Sequence, residues 1–267
     1  MIRLLKIDLL KLTSYRTFWI LIVLYFATMG VITSSGMEFL KWLVSKGADF
    51  DDVDILRVPL YHFPDIWQNL TYVSLFFKLV LAIIVIISIT NEFGFKTVRQ
   101  NIIDGMDRKD FIISKVLTIF LLSLASTLFV FLIGLITGSI YSPETEMRFM
   151  FRTIEFIPGY FLDVFSYLLM VMLFAMFVKR AGLTIGITLL YPALEYAFSA
   201  NLPDSWDGVS DYLPLHAINN LVRVPFQRYV FMEIQDYVAW ADVGVVVLYC
   251  CLFIYLSYLT LVKKDLN

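Results

Sequence analysis

Apolar residues crowd into six stretches of the chain, at about 18–36, 70–90, 111–141, 158–178, 181–199 and 237–262. Each is roughly long enough, as a helix rising about 1.5 Å per residue, to cross a ~30 Å hydrocarbon core. The third is longer than a bilayer needs, which predicts a tilt or a projection into water. Ahead of the first, Ile2, Leu5, Leu9 and Leu12 recur on one helical face of residues 1–17, with Arg3, Lys6 and Lys11 elsewhere around the wheel. That pattern predicts an amphipathic interfacial helix lying among lipid headgroups, or a basic stop that fixes topology. Residues 200–236 alternate Pro203, Pro214 and Pro225 with apolar pieces, which predicts a partly re-entrant or surface-lying helical pair, with a solvated loop as the alternative. The fold class expected is an all-α membrane protein, a single transmembrane domain over 1–267.

Composition strengthens that picture. Of 267 residues, 60% are hydrophobic and 16% charged, and the mean hydropathy is +0.78, too apolar for an ordinary soluble domain. A net charge of -2 with no clustered basic face gives no sign of a nucleic-acid partner. The two cysteines, Cys250 and Cys251, are neighbours in an apolar run and read as packing residues. The basic N-terminus lacks a convincing small-residue cleavage site, so an uncleaved first span is expected. Asn69, Leu70 and Thr71 match a glycan acceptor by chance.

Charge location gives the orientation. Thirteen Lys and Arg residues fall near one end of the spans, among them Arg3, Lys6, Lys11, Arg16, Lys96, Arg99, Arg108, Lys109, Lys115, Lys179, Arg180, Lys263 and Lys264. Seven fall at the other, Lys41, Lys46, Arg57, Arg148, Arg152, Arg223 and Arg228, together with acids such as Asp49, Asp51, Asp52 and Asp54. The bias predicts a multi-pass protein of the cell membrane with both termini in the cytoplasm.

Residues 91–110 are the most structured connection on that basic side. Phe95, Val98 and Ile102 recur at i, i+3 and i+7, giving a short helix with one apolar stripe and polar flanks in Lys96, Arg99 and Asp104. Gly105 can take the left-handed conformation that ends it. Asp107 then reads as the N-cap of the third span, with Asp110 completing a variant capping box. Lacking lipid or an internal core to cover its stripe, such a helix calls for a partner; the alternative is that the stripe folds onto the ends of neighbouring spans.

Glu92, Phe93, Thr97, Arg99, Gly105, Arg108 and Lys115 make this segment similar to the loop of ABC-2 type ATP-binding cassette transporter permeases, which reads Glu-Phe or Glu-Tyr, Thr, Arg, then Gly, Arg and Lys. The resemblance extends over the six spans, the entry helix and the long segment before the last span. It implies that Glu92, Phe95, Thr97, Val98, Arg99, Ile102, Gly105 and Arg108 form a coupling helix docking into a cytoplasmic ATPase subunit. It also implies that two permease copies, or a copy and a paralogue, line the path, and that transport is export. The chain has no G-x-x-x-x-G-K phosphate loop, so ATP and Mg belong to the separate ATPase, and no cofactor or metal is expected on this chain.

Two glycine pairs, Gly134 with Gly138 and Gly182 with Gly186, allow close helix approach. The resemblance makes the second the better candidate for the subunit interface. Lys78, Asp163, Glu195 and Asp242 lie in or at the edges of the spans, toward the outer end; pairing of Lys78 with Asp163 or Glu195, or snorkelling of each to the surface, would accommodate them. His216 and Asn220 form an H-x-x-x-N pair of the kind used by CAAX-type intramembrane proteases. No Glu-Glu pair accompanies it and the other histidine is His62, so His216 reads as a capping or packing residue. A scaffold or sensor using the same loop to bind a partner is the remaining alternative.

Overall fold

The computed structural model describes residues 2–46, 59–203, 208–230 and 233–263. Asp49, Asp51, Asp52, Asp54, Arg57 and Lys264 lie outside the described residues. Among the described residues eleven α-helices follow one another: α1 Ile2–Ser14, α2 Arg16–Ser45, α3 Ile66–Leu75, α4 Lys78–Gly94, α5 Thr97–Ile103, α6 Arg108–Tyr141, α7 Met147–Met150, α8 Phe156–Val178, α9 Ala181–Ala200, α10 Pro214–Asn219 and α11 Trp240–Lys263. No strand occurs among the described residues. Five of these helices, α2, α6, α8, α9 and α11, are long and apolar enough to cross a membrane, and the bent pair α3–α4 makes a sixth if it counts as one span.

The second apolar stretch, expected as one helix over 70–90, is therefore two. α3 and α4 meet at 43°. Around Phe76 and Phe77 the backbone tightens into i to i+3 bonds, Phe76 N–H to Val73 O and Phe77 N–H to Ser74 O. A turn of this kind redirects a helix without proline.

α8 is the hub. It packs against α11, α4, α6, α3 and α9, and Tyr160, Val164, Leu168, Leu169, Val171 and Met172 on it are fully buried. α2 and α9 lie outside, with Trp19, Ile20 and Val23 on one and Leu183, Leu190 and Leu194 on the other exposed as a lipid-facing surface would be. One buried hydroxyl cluster ties three spans together: Ser126 of α6 lies 2.5 Å from the Tyr25 hydroxyl of α2 and 2.7 Å from the Tyr160 hydroxyl of α8. Among apolar neighbours, that mutual satisfaction fixes one packing register.

Because the spans alternate, Arg16, Lys96, Arg108, Lys179 and Lys263 gather at one end of the bundle, called here the basic end; the other is the far end. Residues at the far end differ from the expected helical pair. The prolines leave a single six-residue helix, α10, with Pro214 in its first turn, flanked by the 3-10 turns Ser210–Tyr212 and Phe226–Val230. α10 is no loose surface piece, since Leu215, Ala217 and Ile218 are buried against α8 and α11.

Candidate functional site

A dense buried group of charges sits at the basic end. Lys115, seven residues into α6, directs its ammonium inward and donates to both Asp8 Oδ1 of α1 and Glu92 Oε1 of α4. Thr118, one turn further on, donates to Asp8 Oδ2 at 2.6 Å, and Lys11 of α1 lies 3.7 Å from Glu92 Oε2. Lys115 is 2% exposed, Asp8 4% and Glu92 8%. Two carboxylates and one ammonium are thus removed from water together, with Lys11 supplying the second positive charge from the rim. Each is tolerable there only because the others are present.

The same cluster places the 91–110 segment. α4 ends at Gly94, and Lys96 takes a left-handed conformation with φ of 56° that turns the chain into α5. Thr97 Oγ1 donates back to the Glu92 carbonyl at 3.2 Å, closing the elbow. Gly105 has φ of +94°, as its position after the helix requires. Arg108 reaches across to the last turn of α11 and donates to Val262 O at 2.8 Å. Asp107 stands at the N-cap of α6 in extended conformation, but no side-chain hydrogen bond is made there, so the expected capping box is not formed.

The apolar stripe divides in two. Val98 is 1% exposed and Ile102 packs on the core, so the stripe expected to lack internal cover is partly covered by the chain itself. The reason is the left-handed elbow, which swings α5 back under the spans instead of projecting it away. Phe95, outside α5 at the elbow, is 66% exposed and Ile103 68%, with Arg99, Lys96 and Lys109 also exposed. Of the residues expected at the docking surface, Glu92, Thr97, Val98 and Arg108 make contacts within the chain, whereas Phe95, Arg99 and Gly105 face outward.

Asp8 was not foreseen from the sequence, although a signal exists. It shares the apolar face with Leu5, Leu9 and Leu12, the one acid on a helix otherwise basic. Lys115, read as one more cation of the basic end, likewise sits one turn from Phe111 on the face that turns inward.

At the far end the four isolated charges have partners. Lys78 donates to Asp163 Oδ1 at 2.7 Å and to Asn219 Oδ1 at 3.3 Å, and its ammonium lies 4.8 Å from the Tyr167 ring centroid. Glu195 does not reach Lys78. It accepts from the backbone N–H groups of Leu215 and His216, at 3.1 and 2.8 Å, and lies 2.8 Å from His216 Nδ1, so it holds the first turn of α10 against α9. Asp242 lies 3.8 Å from Arg223. Pairing rather than snorkelling accommodates these groups: Lys78 and Asp163 meet each other, one of the pairings the sequence offered, whereas Glu195 and Asp242 find partners in residues 215–223, whose path the sequence alone does not show.

Gly134 and Gly138 are used within the chain. A side chain at Gly134 would come 2.7 Å from the Trp67 ring, and one at Gly138 would collide with Phe63. Gly182 and Gly186 on α9 face open space. Among the described residues no three His, Cys, Asp or Glu side chains are grouped to hold a metal.

A family model described as Protein of unknown function (DUF2705) matches residues 53–267. The chain belongs to the DUF2705 family. A search of curated proteins finds no match. The DUF2705 match takes in Glu92, Lys115, Lys78 and Asp163 but begins after α1 and α2, so Asp8 and Lys11 lie outside it.

Proposed function

We propose that this DUF2705 chain is the membrane-embedded permease subunit of an ABC-2 type ATP-binding cassette exporter, working with a separate ATPase that carries ATP and Mg. The single observation that carries the reading is the seven-residue helix α5, held at the basic end between two spans. It presents Arg99 and Ile103 outward, with Phe95 exposed beside them at the elbow, while its own Val98 and the neighbouring Glu92 at the end of α4 fasten the segment to the bundle. A rigidly backed helix with exposed aromatic, aliphatic and cationic groups suits docking into a groove of a neighbouring subunit. The resemblance of residues 92–115 to the coupling loop of such permeases supports the same reading, as does the Lys and Arg bias that puts the basic end in the cytoplasm.

In this reading ATP-driven closure of the ATPase pushes α5, and the push reaches the spans through Lys115, which links α4 to α6 and α1 to both. A second copy, or a paralogue, completes the path, with the open Gly182 and Gly186 face of α9 as its contact.

The test is affinity purification from native membranes in mild detergent, with mass spectrometry and an ATPase assay on the complex. A stoichiometric ABC ATPase is expected, and Phe95→Asp with Ile103→Asp should release it while membrane insertion is unchanged. Purification of the intact chain without any ATPase would refute the transporter reading and favour a scaffold or sensor. Crosslinking of Gly182→Leu tests the copy-to-copy contact; undiminished yield would remove α9 from it.

A further inference from the structure

At the far end, where α3 breaks from α4, a cavity of about 600 Å³ opens between α3 and the segments around Arg223 and Glu233. That is the size of a small-ligand site, which spans about 300–1,000 Å³. Its walls are held independently of any ligand. Gln68 Nε2 donates to the carbonyls of both Arg223 and Gln235, at 3.3 and 3.1 Å. Arg228 pairs with Asp65, and Asn69 donates to the Tyr229 hydroxyl at 2.7 Å.

The lining selects by chemistry. Its floor cation, Lys78, is neutralised by Asp163, and Arg223 faces Asp242. Glu233 is exposed and has no counter-ion among the described residues, so anions are disfavoured. Four side-chain amides, Asn219, Asn220, Gln227 and Gln235, surround the space beside Tyr72 and Phe76. Residues 223–225 and 233–236 run through its wall without helix or turn. Val224, before Pro225, is restricted to extended backbone. Among the described residues the backbone N–H groups of Arg223, Val224 and Ile234 donate to no carbonyl. Main-chain N–H groups that meet no carbonyl among the described residues, together with amides and a ring face, match an extended peptide, which supplies alternating carbonyls, N–H groups and side chains.

We propose that this cavity binds a short peptide segment, uncharged apart from an optional free amino terminus, in extended conformation. The site goes beyond the transporter reading and does not depend on it, since peptide binding requires no ATPase.

The test uses the full chain in lipid nanodiscs, equilibrated by dialysis with an amidated pentapeptide library X-Ala-X-Ala-X, X being Ala, Leu, Phe, Ser or Gln, and read by mass spectrometry. Saturable enrichment over empty nanodiscs is expected. Alternate N-methylation of the enriched peptides should weaken binding at least about tenfold, close to 1.4 kcal/mol, because the added methyl groups hold the peptide backbone away from the wall's N–H groups and remove the donors that would meet the side-chain amide oxygens. Gln227→Ala, on an exposed side chain, should weaken it severalfold without loss of fold. Three results would overturn the proposal: no enrichment over empty nanodiscs, equal retention of the N-methylated peptides, or displacement of the bound peptides by maltopentaose. An ATPase recovered without peptide binding would reject the cavity alone, and the converse would reject the transporter alone.

Discussion

Lys115→Met removes the ammonium shared by Asp8 and Glu92 while keeping most of the side-chain length. Two charge-assisted hydrogen bonds are lost, and two carboxylates that are nearly inaccessible to water remain. Breaking a buried ion pair by deleting one partner costs about 3–5 kcal/mol. Lys11, at 3.7 Å from Glu92 and one-third exposed, offsets part of one carboxylate, which places the expected cost near the lower end, about 3 kcal/mol. The contact that gives way is the docking of α1, because α4 and α6 are also held by α8 whereas α1 packs chiefly on α2 and α6. Leu12, 5% exposed beside the cluster, reports on that docking. In a background with Cys250 and Cys251 replaced by Ala, maleimide labelling of Leu12→Cys follows the undocked population. A cost of about 3 kcal/mol should accelerate labelling a hundredfold or more. Adding Asp8→Asn and Glu92→Gln to Lys115→Met removes the orphaned charges, so most of the protection should return. Acceleration of less than about fivefold, or no recovery in the triple variant, would refute the view that mutual neutralisation holds α1 in place.

Gly134→Ala should destabilise the chain by about 1–3 kcal/mol through crowding of Trp67, while Gly182→Ala should stay within about 0.5 kcal/mol in the isolated chain; thermal unfolding of the two side by side checks this. Glu195→Ala should expose the first turn of α10, losing main-chain hydrogen bonds to a charged acceptor worth about 1.5–3 kcal/mol each. Faster amide hydrogen exchange over residues 214–219 at neutral pH is the expected result. Burial pushes the Tyr229 phenol up to about 12, against the lowering effect of its Asn69 contact. Its proton is retained more tightly in the fold than in the unfolded chain, so its contribution to stability is complete below pH 10 and is lost from there to about pH 12. A phenolate absorbance difference between the protein and Tyr229→Phe should titrate near that upper value.

Much of the architecture follows from the chain alone. Long apolar runs in lipid have little option but to be helices, since backbone groups there have no water to bond; the helix ends at Tyr141, Val178 and Ala200 fall within a residue of the expected positions. Gly105 and the helix ahead of it were legible because they obey local rules of period and left-handed geometry. Three features were not legible. The break at Phe76–Phe77 carries no proline or glycine to announce it, although the Lys78–Asp163 pair beside it was among the pairings the sequence offered. Val98 is buried because the Lys96 elbow folds α5 back, a choice made by conformation rather than by pattern. Asp8 became part of a site only when three helices placed it against Lys115. Periodicity records which side of a helix avoids water, which a single sequence can state. Which distant charge meets a buried charge depends on how helices pack, and only the tertiary structure decides that.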